Sequence, residues 1–338
     1  MADARLTGEV VNAASGLPIA GARINLILVV ESQFGTFGRD PRNAVTDASG
    51  RFAFAGLDDG RYSLEIQKPG FAPYPDIFGE QPPTPLHIAT EESTSDLRIE
   101  LHKGSVIAGR LVDSNGEPVP ELPVSALRRT TRAGSIDFVQ AGRAGETNDI
   151  GEFRIAGLAA GEYLVAALPR MQDPFVADDG DGTTVVATYY PGTSDRSGAQ
   201  ALTLAVGEMK DGLQFSPVTA RAYRVSGVVV DAAGRAVQGA MVMLVPNVRT
   251  MLMGPLGRRH AGCDGAFSFA AVSPGSYFIR ASRPISPIDG GAGIGAMSFV
   301  MDADEGPDPH TQRSSAQPLQ VAVADRDVTG LRILVSSE

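Results

Sequence analysis

An all-β chain of three tandem, antiparallel transthyretin-like or immunoglobulin-like β-sandwiches is what this sequence predicts, and three observations predict it. A motif with fixed glycine and aromatic positions occurs three times, apolar residues alternate with polar ones at period two, and no convincing amphipathic helix interrupts them. In the motif a turn glycine (Gly50, Gly151, Gly265) is followed two residues on by Phe (Phe52, Phe153, Phe267). A second glycine (Gly60, Gly161, Gly275) then precedes a tyrosine by two (Tyr62, Tyr163, Tyr277). The unit reads as strand, tight turn, strand, with glycine supplying the turn conformations.

Each copy opens on a strand that carries a glycine: Leu6 to Val11, Val106 to Val112, and Val225 to Val230. A polar turn follows, then a half-buried strand such as Arg23 to Val30, where Ile24, Leu26 and Leu28 alternate with Arg23 and Asn25. After the central motif two closing strands are expected in each copy. They are Leu86–Ile88 with Leu97–Leu101, Leu202–Val206 with Leu213–Phe215, and Leu319–Val323 with Leu331–Val335. The 338 residues therefore divide at 1–103, 104–221 and 222–338, a repeat of roughly 100 to 120 residues. The junctions at Lys103-Gly104 and Arg221-Ala222 are too short for flexible linkers.

Composition removes several function classes. With 29 basic residues against 39 acidic, the clustered cations that hold phosphate backbones or anionic membranes are missing, so no nucleic-acid partner is expected. No apolar run approaches the length of a membrane span. A lone cysteine, Cys263, forms no intrachain disulfide and sits where the other turns carry Ala48 and Asp149. The chain starts directly on its first strand, which favours a secreted, periplasmic or cell-surface protein whose signal peptide has been removed.

The pattern Gly8-x-Val10, Gly16-x-Pro18-Ile19-x-Gly21-Ala22, Thr46-Asp47-x-x-Gly50-x-Phe52, Leu57-x-x-Gly60-x-Tyr62 resembles the carboxypeptidase regulatory-like domain. That is a transthyretin-like sandwich first known as an appendage of metallocarboxypeptidases, and the resemblance covers nearly the whole chain as three copies. Glu121-Leu122 departs from the Gly-Ala of the pattern, Ala236 from its proline and Gly262 from its aspartate. The resemblance implies fold firmly and function weakly, since such domains occur as bare extracellular modules and before outer-membrane receptors.

The catalytic partner of that family is not expected here. Zinc peptidases need a His with a nearby carboxylate and a second His, and the segments around His87, His102, His260 and His310 lack that spacing. No nucleophile elbow, phosphate loop or dinucleotide fingerprint is present either, so no enzyme and no cofactor is expected. Related sandwiches with an internal Lys–Asn crosslink start it from a first-strand lysine. Glu9, Arg110 and Arg224 stand in the first strands instead.

The candidate sites are loops. Asp178, Asp179 and Asp181 resemble part of a calcium loop but lack its distal glutamate, so a solvated loop is expected rather than a tight metal site. Tyr189 and Tyr190 could stack on a sugar or close the sandwich core. Two insertions per repeat (31–45 and 68–85, 128–146 and 168–200, 246–261 and 283–317) hold the non-repeating sequence, and rigid frames with variable loops are typical of binding proteins. Six of the nine methionines fall in the third repeat. Met251, Leu252, Met253, Met297, Phe299 and Met301 make two of its insertions apolar, which suits either a partner interface or a cap. The function expected is therefore a non-catalytic envelope or extracellular scaffold that recognises a protein or glycan through its loops. A carbohydrate-binding module and a structural subunit of an assembly are the alternatives.

Overall fold

The computed structural model describes residues 4–32, 35–76, 85–89, 94–132, 135–169, 182–246, 257–283 and 318–335. In the first repeat the strands are β1 (Ala4–Asn12), β2 (Arg23–Ser32), β3 (Gly35–Val45), β4 (Arg51–Leu57), β5 (Gly60–Gln67), β6 (Leu86–Ile88) and β7 (Thr94–Leu101). They form a narrow sheet ordered β4-β1-β7 and a wide sheet ordered β3-β2-β5-β6. Alternation puts Phe52 and Phe54 on the inner face of one, and Ile24, Leu26, Tyr62, Leu64 and Ile66 on that of the other. Period two thus yields one core between two layers.

The second repeat has β8 (Ser105–Leu111), β9 (Pro123–Arg132), β10 (Ser135–Glu146), β11 (Glu152–Leu158), β12 (Gly161–Ala167), β13 (Thr183–Val185), β14 (Thr188–Tyr189), β15 (Leu202–Leu204), β16 (Met209–Phe215) and β17 (Thr219–Arg221). Its narrow sheet is β11-β8-β16 and its wide sheet β10-β9-β12-β14, with β15 also paired to β12. A 3-10 turn, Arg196–Gly198, follows β14. The third has β18 (Tyr223–Val230), β19 (Met241–Pro246), β20 (Gly257–His260), β21 (Ala266–Val272), β22 (Gly275–Ser282), β23 (Leu319–Val323) and β24 (Val328–Leu334). These give β21-β18-β24 and β20-β19-β22-β23, around a core that includes Phe267, Phe269, Tyr277 and Ile279.

Two sequence expectations change. The sheets are antiparallel except that the strand completing the narrow sheet of each repeat runs parallel to the first, β7 beside β1, β16 beside β8 and β24 beside β18. The reason is connectivity: that strand reaches the narrow sheet from the wide one, and a crossover between layers, unlike a hairpin, permits parallel pairing. Moreover, the described residues of the insertions at 31–45 and 128–146 are strand, not loop. They lengthen the hairpins β2–β3 and β9–β10, which pair out to Ser32 with Gly35 and Arg132 with Ser135.

The sequence departures leave the turns in place. Glu121 adopts φ +55°, matching Gly21 and Gly239 at +68°, and Ala236 makes with Val230 the bridge that Pro18 makes with Val11. Gly262 keeps the turn through its own N–H donating to Ala266 O at 2.8 Å, as Asp47 N donates to Arg51 O at 3.0 Å.

By contacts the chain separates into two compact units. One is Met1–Ala167 with Tyr189–Ser216; the other is Leu168–Thr188 with Pro217–Glu338. In the second unit β13 pairs antiparallel with β17, so the insertion after β12 is partly sheet.

Candidate functional site

Within the first unit, the segment after β5 lies against the second repeat. Ala72 N donates to His102 O and Gly104 N to Gly70 O, both at 2.9 Å. The approach is close enough that a Cβ on Gly104 would come 2.8 Å from Gly157 Cα and 3.0 Å from the Phe71 carbonyl carbon. Only glycine leaves that space. Beside this seam Asp76 pairs with Arg128, whose guanidinium also donates to Ala160 O at 2.9 Å. An open cleft of about 240 Å³ lies there, lined mainly by Ala72, Pro73, Tyr74, Leu101, Ala159 and Val206, with Asp76, Glu100 and His102 at its polar edge. Its size and openness fit the end of a side chain rather than an enclosed small ligand.

A tyrosine tether recurs in all three repeats. Tyr62, Tyr163 and Tyr277 donate their hydroxyls to Asp58 O at 3.0 Å, Ala159 O at 2.7 Å and Ser273 O at 2.7 Å. Burial pushes the Tyr163 hydroxyl up to about 12, against the pull of Arg128. These phenols close the turn into the strand, as in the tyrosine corner of immunoglobulin-like sandwiches, and they are structural.

The two candidate stacking tyrosines are placed differently from a sugar platform. Tyr189 is buried, only 8% exposed, and burial raises its hydroxyl. Tyr190 is half-buried and sets its ring edge-to-face on Phe215 at 5.8 Å. Tyr189 has therefore lost the open face that stacking needs, and the pair packs with the second repeat. Asp178, Asp179, Asp181, Met251, Leu252, Met253, Met297, Phe299 and Met301 lie outside the described residues. Among the described residues no group of three or more His, Cys, Asp or Glu could hold a metal ion. His87 is exposed on the edge strand β6, and His102, His260 and Cys263 are exposed. No helix among the described residues is long and apolar enough to cross a membrane.

Sequence reasoning passed over the outer faces of the wide sheets. In the first repeat that face carries half-buried Asn25 opposite half-buried Glu65. In the second, Ser125, Leu127, Leu164 and Ala166 are all buried, so both sides of β9 and β12 are covered. The uninterrupted run Tyr163-Leu164-Val165-Ala166-Ala167 carries the signal, since strands covered on both faces lose their alternation.

Residues 5–91 match the family model of the carboxypeptidase regulatory-like domain. This carboxypeptidase regulatory-like stretch covers β1 to β6 of the first repeat, with both sheets represented. No curated protein matches the sequence. Among solved structures, the Bacillus anthracis TIE protein is similar at 12% identity and a TM-score of 0.23 over 99% of this chain, which spans about half, 51%, of that protein. A streptococcal ancillary pilin is similar at 14% identity and a TM-score of 0.28, covering 98% of this chain and 99% of that one. The minor pilin GBS52 of Streptococcus agalactiae is similar at 15% identity and a TM-score of 0.29, covering 64% of this chain and 96% of that one. Superpositions this loose bring nothing about function to this chain.

Proposed function

We propose that the chain is a non-catalytic scaffold of the cell envelope or exterior, built of three carboxypeptidase regulatory-like sandwiches at 1–103, 104–221 and 222–338. The observation that supports this reading is the recurrence of one layout, a narrow and a wide sheet with the first strand parallel to the strand that completes the narrow sheet, in all three. The geometry that recurs among the repeats goes to turns, tethers and close glycine contacts, which build a frame. Recognition of a macromolecular partner is assigned to the residues between the strands, with Met251, Leu252, Met253, Met297, Phe299 and Met301 as the apolar contact set. A protein partner is favoured over a glycan because the chain has no tryptophan and Tyr189 is buried. A carbohydrate-binding module and a structural subunit of an assembly are the competing readings.

The test immobilises the full chain and a Met253→Ser/Phe299→Ser variant, exposes both to a solubilised envelope fraction, and records melting alongside capture. The expected result is capture lost with melting unchanged. Melting lowered with capture unchanged makes those residues a cap, and retention on a glycan array with no protein captured makes the chain a carbohydrate module.

A further inference from the structure

The outer face of the third repeat's wide sheet is built by rows that cross β20, β19 and β22. Residues directly opposite on neighbouring strands share a face. Met243 stands opposite Arg258 on one side and Arg280 on the other, Met241 opposite His260 and Ser282, and Val245 opposite Phe278. The alternate residues Val242, Leu244, Tyr277, Ile279 and Ala281 are in the core, which leaves this set facing outward. Its centre, Met241, Met243, Val245 and Phe278, is half-buried and apolar; Arg258 and His260 are exposed and Arg280 half-buried. With strands about 4.8 Å apart, the two arginines flank Met243 about 10 Å from each other.

Two features single this face out. It carries no acidic residue in these rows although the chain has a net charge of −10, and among the described residues neither Arg258 nor Arg280 forms an ion pair. At the matching position the first repeat has Glu65 opposite Asn25. The second has Ala166 opposite Ser125, both fully buried, so the corresponding sheet face of a sister repeat is a face that protein covers.

We infer that this face docks an acidic, apolar segment of a partner protein, the partner's aliphatic or aromatic side chains seating on Met241, Met243 and Phe278 and its carboxylates on Arg258 and Arg280. An apolar centre between two cations is complementary to alternating Glu and Phe or Leu in an extended strand. It lacks the array of polar groups that an acidic glycan's hydroxyls require. The inference rests on the reading of the chain as a binding scaffold, but it moves the contact from the loops to a sheet face.

The experiment titrates the full chain, and its Arg258→Glu/Arg280→Glu and Arg258→Gln/Arg280→Gln variants, with a synthetic peptide of alternating Glu and Phe. A Lys-for-Glu peptide and polygalacturonate run beside it. Expected are binding of the acidic peptide alone, at least tenfold loss in the Glu variant, a smaller loss in the Gln variant, and unchanged melting. Binding should also fall as salt rises from about 0.01 M to about 1 M, which shortens screening from about 30 Å to about 3 Å. Protection of Met241 and Met243 from peroxide in the free chain would mean that its own residues cover the face, and overturns the inference. So do equal binding by all variants, preferential binding of polygalacturonate, or a self-association abolished by the Glu variant. Capture lost in the Met253/Phe299 variant but kept in the arginine variants sinks this proposal alone; the opposite outcome sinks the loop interface alone.

Discussion

The Tyr163 hydroxyl donates to the carbonyl oxygen of Ala159 at 2.7 Å, spanning the turn between β11 and β12. The ring is fully buried, so the bond is shielded from water. Tyr163→Phe should lower stability by about 1–2 kcal/mol, the cost of one buried hydrogen bond and of a carbonyl left without its donor. Urea unfolding monitored by circular dichroism checks this, and an unchanged midpoint would remove the tether from the account of stability.

The same phenol makes a prediction about alkali. Its pKa is raised from 10.0 to about 12 in the folded chain, so the folded state holds a proton that the unfolded state releases first. The contribution is intact below pH 10 and is lost as pH rises toward 12. Melting temperature should fall across that window, and less steeply in Tyr163→Phe than in the parent.

Glycines on the first strands should be intolerant of any side chain. A Cβ on Gly109 would come 2.8 Å from both Leu213 Cβ and the Phe153 ring, and one on Gly227 would come 2.7 Å from Leu331 Cβ. Gly109→Ala or Gly227→Ala should cost about 3 kcal/mol, the upper range of overpacking. Gly212→Ala meets nothing within 4 Å and carries only the strain of φ +72°, about 1 kcal/mol. If the three variants melt together, close approach is not what the first-strand glycines supply.

Gly104 tests the seam within the first unit. Gly104→Val would force Gly157 and Phe71 apart, and the Asp76–Arg128 pair with them. Calorimetry should then show one transition for the first unit of the parent chain and two for that of the variant, and protease should cut the variant at the Lys103-Gly104 bond. One unsplit transition would show that the seam does not couple the repeats.

Much of this fold is legible in the chain because its determinants are local. Gly50, Gly151 and Gly265 announce turns, Phe52 and Tyr62 announce inward positions, and the closing strands appear as Leu and Ile at alternate places. The parallel partnership of β1 with β7 is not legible, because it depends on which layer a strand joins after a crossover, and alternation is the same in either layer. Residues 31–45 and 128–146 read as insertions because they do not recur, yet non-recurrence says nothing of hydrogen bonding, and the buried Val139 and Ala141 alternate with half-buried Phe138 and Gln140 as in a strand. At the candidate sites, Tyr189 and Tyr190 look identical in sequence; only packing separates the buried Tyr189 from Tyr190, whose ring meets Phe215. Arg258 and Arg280 stand more than twenty residues apart, and only register brings both beside Met243.

The parallel pairing of β1 with β7 has a mechanical meaning. Since β1 and β7 run in the same direction as neighbours, the chain enters the first repeat at one end of that pair and leaves at the other. Tension along the chain pulls the two strands past each other, so the hydrogen bonds from Gly8 with Leu97 to Asn12 with Leu101 are loaded together, in shear. A hairpin pulled by its two ends opens one bond at a time. The same parallel pairing in β8 with β16 and β18 with β24 should place those strands in shear as well.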